Sequence, residues 1–186
     1  MKERIAQAAA EEMARRGLKF SIREIAASLG ASTKTIYQHF ESKEQILGYI
    51  LERAVDEMRE SERKIMNDGT LSVQHKLRQA LLVLPNAFVF HDIRILHELK
   101  QRYPEHWRTV DAYVNQSWDQ IRLLFEEGAT DGVIRQVDVE LFIQVYVGAF
   151  YRIMEDSGSV SRKGYSFEQA LEGMVDLLLE GVWGRE

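Results

Sequence analysis

Apolar residues recur every three or four positions along almost the whole chain, and no stretch shows the period of two that marks a strand. Ile5, Ala8, Ala9 and Met13 give residues 2–16 one apolar face, and Gly17 is placed to end that helix. Ile22, Ile25, Ala26 and Leu29 repeat the pattern on a shorter helix. Ser21 and Glu24 open it with the spacing of a capping box, and Gly30 stops it. Ser32 can cap a third helix, whose only inward residues are Ile36 and Phe40. Ala26, four residues before the turn glycine, is small enough to let the two helices cross closely. Ser42 and Gln45 form another capping box and begin a long helix to about Met66, with the stripe Ile46, Leu47, Ile50, Leu51, Ala54, Val55 and Met58.

Beyond the turn signal Asn67-Asp68-Gly69 the pattern stays helical. Residues 71–90 read as one helix that Pro85 kinks or breaks near Leu84, and a short helix follows through Leu99. Pro104 suits the first position of a longer helix to residue 127, carrying Trp107, Val110, Val114, Trp118, Ile121 and Phe125. Asp138 caps a helix to about Glu155, residues 156–164 form a polar loop, and Ser166 with Gln169 opens a last helix to about Trp183. The fold expected is all-α. Residues 137–154 are apolar almost all round and 177–183 overfill a single face, so these helices need cover on two sides. One cover is their own domain; the other expected is a second subunit, with Val147, Tyr151, Met174 and Leu178 as candidate interface residues.

Composition narrows the class. There is no cysteine, so disulfides and thiolate metal sites are excluded, and no apolar run approaches the ~18 residues a membrane span needs. No apolar leader segment is seen either, so the cytoplasm is the expected location. A net charge of −5 alone argues against nucleic acid, but it is unevenly spread. Residues 1–50 hold eight Lys/Arg against six Asp/Glu, and within 15–43 six cations face two anions. Hydrolase, nucleotide-binding and metalloprotease motifs are absent, no histidine has Glu three positions before it, and the histidines at 91, 97 and 106 do not share one helical face. Neither a metal, a cofactor nor catalysis is expected.

The segment 21–43 has the form of a helix-turn-helix, which lays its second helix into the major groove. Tyr37 is placed to pack on a sugar edge or thymine methyl while its hydroxyl meets a phosphate. Ser32, Thr33, Lys34 and Thr35 lie at the helix start, which enters the groove first; Lys34 suits guanine O6 and N7 or a phosphate equally. Lys43, in the first turn of the next helix, and Ser21 and Arg23, at the start of the first motif helix, are phosphate candidates, Ser21 also being a helix cap.

The phrases S-x-x-E-I-A at 21–26, L-G-A-S at 29–32, T-I-Y-Q-H-F at 35–40 and S-K-E-Q-I-L at 42–47 resemble the DNA-binding domain of the tetracycline-repressor (TetR) family of bacterial regulators. Ala31 stands where the family often has Val, and Lys34 where it often has Gly. The resemblance implies a three-helix DNA-binding domain at residues 1–46 and an effector-binding and dimerisation domain at 47–186. It places His39 beside the DNA backbone and implies a homodimer on a near-palindromic operator, built through the last two helices. It also implies a small-molecule pocket in the second domain. Phe88, His91, Trp107, Asn115, Trp118, Tyr146 and Phe150 are the candidates for that pocket, with Asn86 and Gln144 as further polar groups; aromatics at helical spacing equally serve as core. The function expected is a transcriptional regulator, a repressor released by an effector. The rivals are a DNA-binding protein without an effector and a helical enzyme with an incidental turn motif.

Overall fold

Side chains close the helix ends of the N-terminal third one after another. Ser21 Oγ accepts from Glu24 N and the Glu24 carboxylate accepts from Ser21 N, so both halves of the capping box form. The computed structural model describes residues 1–85, 93–155 and 166–182. Within these, α1 (Lys2–Arg16) leads through a 3-10 turn (Gly17–Lys19) to α2 (Ile22–Ser28), α3 (Thr33–Tyr37) and the long α4 (Lys43–Asn67). α2 ends in a Schellman motif: Ala31 N donates to Ala26 O at 2.9 Å and Gly30 N to Ala27 O at 3.1 Å, with Gly30 at φ 61°. A side chain at residue 30 would be strained there, which is why glycine sits at the turn. Ser42 caps α4 through Gln45 N, but the return bond differs from the capping box expected: the Gln45 side chain accepts from Glu41 N, one residue earlier.

The rest consists of α5 (Val73–Leu81), α6 (Ile93–Arg102), α7 (Pro104–Gln116), α8 (Asp119–Thr130), α9 (Val139–Glu155) and α10 (Phe167–Glu180). No strand occurs among the described residues. At about 1.5 Å per residue α4 runs nearly 40 Å, and the expected stripe from Ile46 to Met58 is buried throughout. One apolar core joins both halves of the molecule: Ile5, Phe20, Ile25, Ile36 and Phe40 share it with Leu96, Leu99, Trp107, Val110 and Met154. A second cluster lies among α5, α8, α9 and α10.

Several helix boundaries differ from expectation. The helix expected over 71–90 ends at Leu81, upstream of the expected break near Leu84, and residues 86–90 lie outside the described residues. Pro85 drives Leu84 out of helical conformation and removes the donor that would bond the Leu81 carbonyl. That carbonyl accepts from Tyr146 Oη instead, at 2.7 Å. The helix expected over 104–127 is two helices, broken at Ser117, where ψ is 53°. Here Trp118 Nε1 donates to Val114 O at 2.8 Å, replacing the main-chain bond that a continuous helix would make. The three-four periodicity runs on across this break because α7 and α8 both bury the same side. α6 continues to Arg102, past Leu99; the last helix stops at Glu180, and Trp183 lies outside the described residues.

Candidate functional site

α3 is held by one side and shows the other. Ile36 and Phe40 are fully buried against α1, α2 and α4, and Phe40 meets Tyr49 edge to face at 5.4 Å. On the outer side Tyr37 is 54% exposed, a large ring left in solvent with no core to fill. Lys34 and Ser32 are exposed beside it, and Thr33, Thr35 and His39 are half-buried. Ser32 Oγ accepts from Thr35 N and shares a 2.9 Å hydrogen bond with Thr35 Oγ1, so these hydroxyls first serve the helix start.

The structure divides the six cations of the motif. Arg15 pairs with Glu12 at 2.7 Å, and Arg16 pairs with Glu24 at 2.5 Å. The same Glu24 carboxylate takes the Ser21 hydroxyl, so Ser21 acts as a helix cap. Hydrogen bonds from Ser21, more than Arg16, hold the Glu24 carboxyl below its ordinary range. Lys43 turns inward: its ammonium donates to the Leu18 carbonyl and, at 2.8 Å, to the Phe20 carbonyl, and lies 4.2 Å from the centre of the Phe20 ring. Burial lowers its pKa. The phosphate role expected of Lys43 therefore competes with a tie between α4 and the 3-10 turn. Arg23, Lys34 and Lys19 stay exposed with no ion pair among the described residues.

A second feature lies deeper. Beneath the break at Leu81 is a cavity of about 70 Å³, walled by Trp107, Tyr113 and Val114 of α7, Trp118 and Ile121 beside the second break, Tyr146 and Phe150 of α9, and Phe167. Trp118 meets Tyr146 edge to face at 5.2 Å. Of the expected pocket residues, Trp107, Trp118, Tyr146 and Phe150 come together here. Asn115 does not: it is exposed and donates to Asp111 O and Tyr151 Oη. Gln144 is exposed on α9, and Phe88, His91 and Asn86 lie outside the described residues.

The chain pattern had not singled out the polar group in this wall. Tyr113 Oη donates to Glu62 Oε1 at 2.5 Å, and Glu62 lines the cavity. Burial raises the Glu62 carboxyl above its ordinary value, opposed by the Tyr113 hydrogen bond and more weakly by Arg59. Burial and the Glu62 charge together push the Tyr113 hydroxyl far up. A signal existed: Glu62 stands four residues after Met58, continuing the apolar stripe of α4 with a carboxylate.

α9 and α10 pack on each other and leave apolar residues in solvent. Leu141 is 57% exposed, Val145 46% and Leu177 74%. Met174 and Leu178 are half-buried nearby. Val147, Met174 and Leu178 all pack partly on the chain's own core, and Tyr151 donates to Asp111 and lies under Lys100, so each of the four interface candidates is half-buried in the protomer.

A helix pair joined by a Schellman turn, buried on one side and presenting an exposed tyrosine and lysine on the other, defines a helix-turn-helix DNA-binding regulator. Residues 5–50 match the family described as bacterial regulatory proteins, tetR family. The chain is 29% identical over 171 residues to the uncharacterized HTH-type transcriptional regulator YvaF of Bacillus subtilis, covering 92% of this chain and 90% of that protein. It is 25% identical over 203 residues to the HTH-type transcriptional repressor KstR2 of Mycolicibacterium smegmatis, covering 97% and 90%. A crystal structure of a transcriptional regulator from Saccharomonospora viridis in complex with choline superposes with a TM-score of 0.71 at 19% identity, covering 99% of this chain and 98% of that one. Residues 5–50 carry the DNA-binding domain of that family, and the chain is similar along most of its length to HTH-type transcriptional regulators. No helix among the described residues is long and apolar enough to cross a membrane.

Proposed function

We propose that the protein is a homodimeric repressor that leaves its operator when a small molecule occupies the cavity. Residues 1–46 are the DNA-reading part and residues 47–186 the sensing and dimerising part. The observation that carries the reading is Tyr37: an exposed ring on a short helix whose opposite side is fully buried. In this reading Tyr37, Lys34 and Thr33 face base edges, while Arg23, Thr35, Ser32 and His39 position the backbone. Ser21 and Lys43 act through the helix ends they hold.

One cavity helix touches the DNA-reading part and another grips the helix that leads out of it, which supports release by the effector. α7 carries Trp107 in the cavity wall and, next to it, His106 against α4. A Cβ built on Gly48 would lie 2.8 Å from His106 Nδ1, so the two helices cannot slide independently. α6 gives Leu96 to the cavity and packs on the 3-10 turn at 17–19. An occupant that displaces either wall shifts α4 and the recognition helix with it. A near-complete switch needs a preference of about 5 kcal/mol for the released state.

The exposed Leu141, Val145 and Leu177 support dimerisation through α9 and α10. So do Gly148 and Gly173, inside these helices, where an added Cβ meets nothing within 4 Å among the described residues. Glycine in a helix interior costs about 0.5–1 kcal/mol relative to alanine, and close approach of a second copy gives both a reason to be there.

Selection of bound sites from random DNA duplexes tests the reading. The expected product is a near-palindrome with half-sites one helical turn, ~10 bp, or a multiple apart, whose affinity falls when an effector is present. Enrichment of no sequence, or of single asymmetric sites, would overturn it.

A further inference from the structure

We infer that the cavity takes a compact organic cation, a protonated amine or alkylammonium that also carries a hydrogen-bond acceptor, with Glu62 as its counter-ion. This rests on the reading of the cavity as the effector site and adds the chemical class of the effector.

Three features of the wall converge on that class. Among the described residues lining it Glu62 is the one carboxylate, and no lysine, arginine or histidine lines it. The carboxylate has the Tyr113 hydroxyl as its hydrogen-bond donor, and Arg59, which lies in the turn of α4 before it, pairs with Asp56 at 3.8 Å and offsets the Glu62 charge only weakly. An anionic effector would meet a carboxylate and no cation among the described residues; a neutral one would leave the half-buried carboxylate facing it without a close counter-charge.

The remaining wall is aromatic. Trp107, Tyr113, Trp118, Tyr146, Phe150 and Phe167 surround the space, and the negative faces of such rings attract organic cations, above all alkylammonium groups. Trp107 contributes a second polar demand: its indole N–H is buried with no acceptor among the described residues. A ligand oxygen would satisfy it, as buried donors require. Size sets the last limit. At about 70 Å³ the space is far below the ~300–1,000 Å³ of sites for drug-sized ligands, so the occupant is compact.

The test uses the full chain and three ligands of nearly one shape: choline, its uncharged carbon isostere 3,3-dimethyl-1-butanol, and the anion 3,3-dimethylbutanoate. Tetramethylammonium, which keeps the charge and lacks the oxygen, is a fourth. Calorimetry measures affinity, tryptophan fluorescence reports occupation beside Trp107 and Trp118, and a broad small-molecule library screened for release from the selected operator runs alongside. The expected result is choline at least tenfold tighter than the neutral isostere, tetramethylammonium weaker than choline, and Glu62→Gln erasing the preference for charge. Other compact amines recovered from the library with the same dependence on Glu62 would support the class as well. Neutral or anionic ligands binding as tightly as choline, or library hits that are neutral or anionic and indifferent to Glu62→Gln, would overturn the cation while leaving the cavity as the effector site. Failure of every ligand and of the whole library to bind there would overturn the effector site itself, and the cation with it.

Discussion

Trp118 and Tyr146 meet edge to face at 5.2 Å, and each ring carries the hydrogen bond that closes a broken helix. Trp118 Nε1 holds Val114 O at the end of α7, and Tyr146 Oη holds Leu81 O at the end of α5. The breaks thus share one aromatic pair in the cavity wall. Tyr146→Phe leaves a buried carbonyl without a donor and should destabilise the protein by about 1–3 kcal/mol. Urea denaturation checks this, and an unchanged midpoint would show that the carbonyl finds another donor.

Tyr37 is exposed and outside the core, so Tyr37→Ala should leave thermal stability unchanged. Specific operator affinity should drop by roughly 1–3 kcal/mol, the scale of a lost base contact. Lys34→Ala should lower affinity too, reducing the salt slope by about one unit if its partner is a phosphate and relaxing sequence preference if it is a guanine. Fluorescence anisotropy against the selected duplex and a scrambled one separates these outcomes. Full affinity in Tyr37→Ala would mean that another surface reads the DNA.

Lys43 binds two carbonyls of the turn at 18–20. Lys43→Met keeps the stem and removes the ammonium, and should cost stability of about 1.5–3 kcal/mol, the scale for hydrogen bonds to a charged group. Chemical denaturation without DNA measures this. A loss confined to DNA affinity would return Lys43 to a phosphate-binding role.

Leu177→Glu and Val145→Glu place a charge on the faces that α9 and α10 leave open. Each should convert dimers into monomers at micromolar concentration in sedimentation velocity and weaken operator binding sharply. Gly173→Leu, at a position where an added Cβ meets nothing within 4 Å among the described residues, should do the same through bulk alone. Dimers persisting in all three variants would place the interface elsewhere.

Glu62 gives a pH dependence of definite sign. Burial raises its carboxyl above the ordinary 4.5, opposed by Tyr113 of α7 and by Arg59 of its own helix; Tyr146 of α9 also feels its charge. The folded state therefore binds the proton more tightly than the unfolded state, and stability falls as pH rises from 4.5 through the raised value. Glu62→Gln removes that loss. The variant should be more stable than the parent at pH 7, and the gap should close below pH 4.5. Melting temperatures across this range decide it, and a gap that widens toward acid would reverse the assignment.

Whatever depends on neighbours within one helical turn was legible in the chain. Ser21 with Glu24, Gly30 at the Schellman turn, Ser32 before α3 and Ser166 with Gln169 all formed as their spacing predicts, because caps and turns are closed by residues three or four positions apart. The stripe along α4 and the one-sided burial of α3 were legible for the same reason: a period of 3.6 states which residues share a face. Tertiary structure alone decided what each face meets. The break at Ser117 hides in an unbroken apolar period, since Trp118 stays inward by exchanging a main-chain bond for its indole N–H. Lys43, a surface cation by its position, is drawn inward by carbonyls more than twenty residues away. On the apolar α9, Tyr151 is half-buried against α6 and α7 through Lys100 and Asp111, whereas Leu141 and Val145, and Leu177 of α10, are left in solvent. Glu62 becomes a cavity carboxylate only because α7 brings Tyr113 against it. Periodicity fixes the phase of a helix about its own axis; the contacts between helices far apart in the chain fix what fills the space between them.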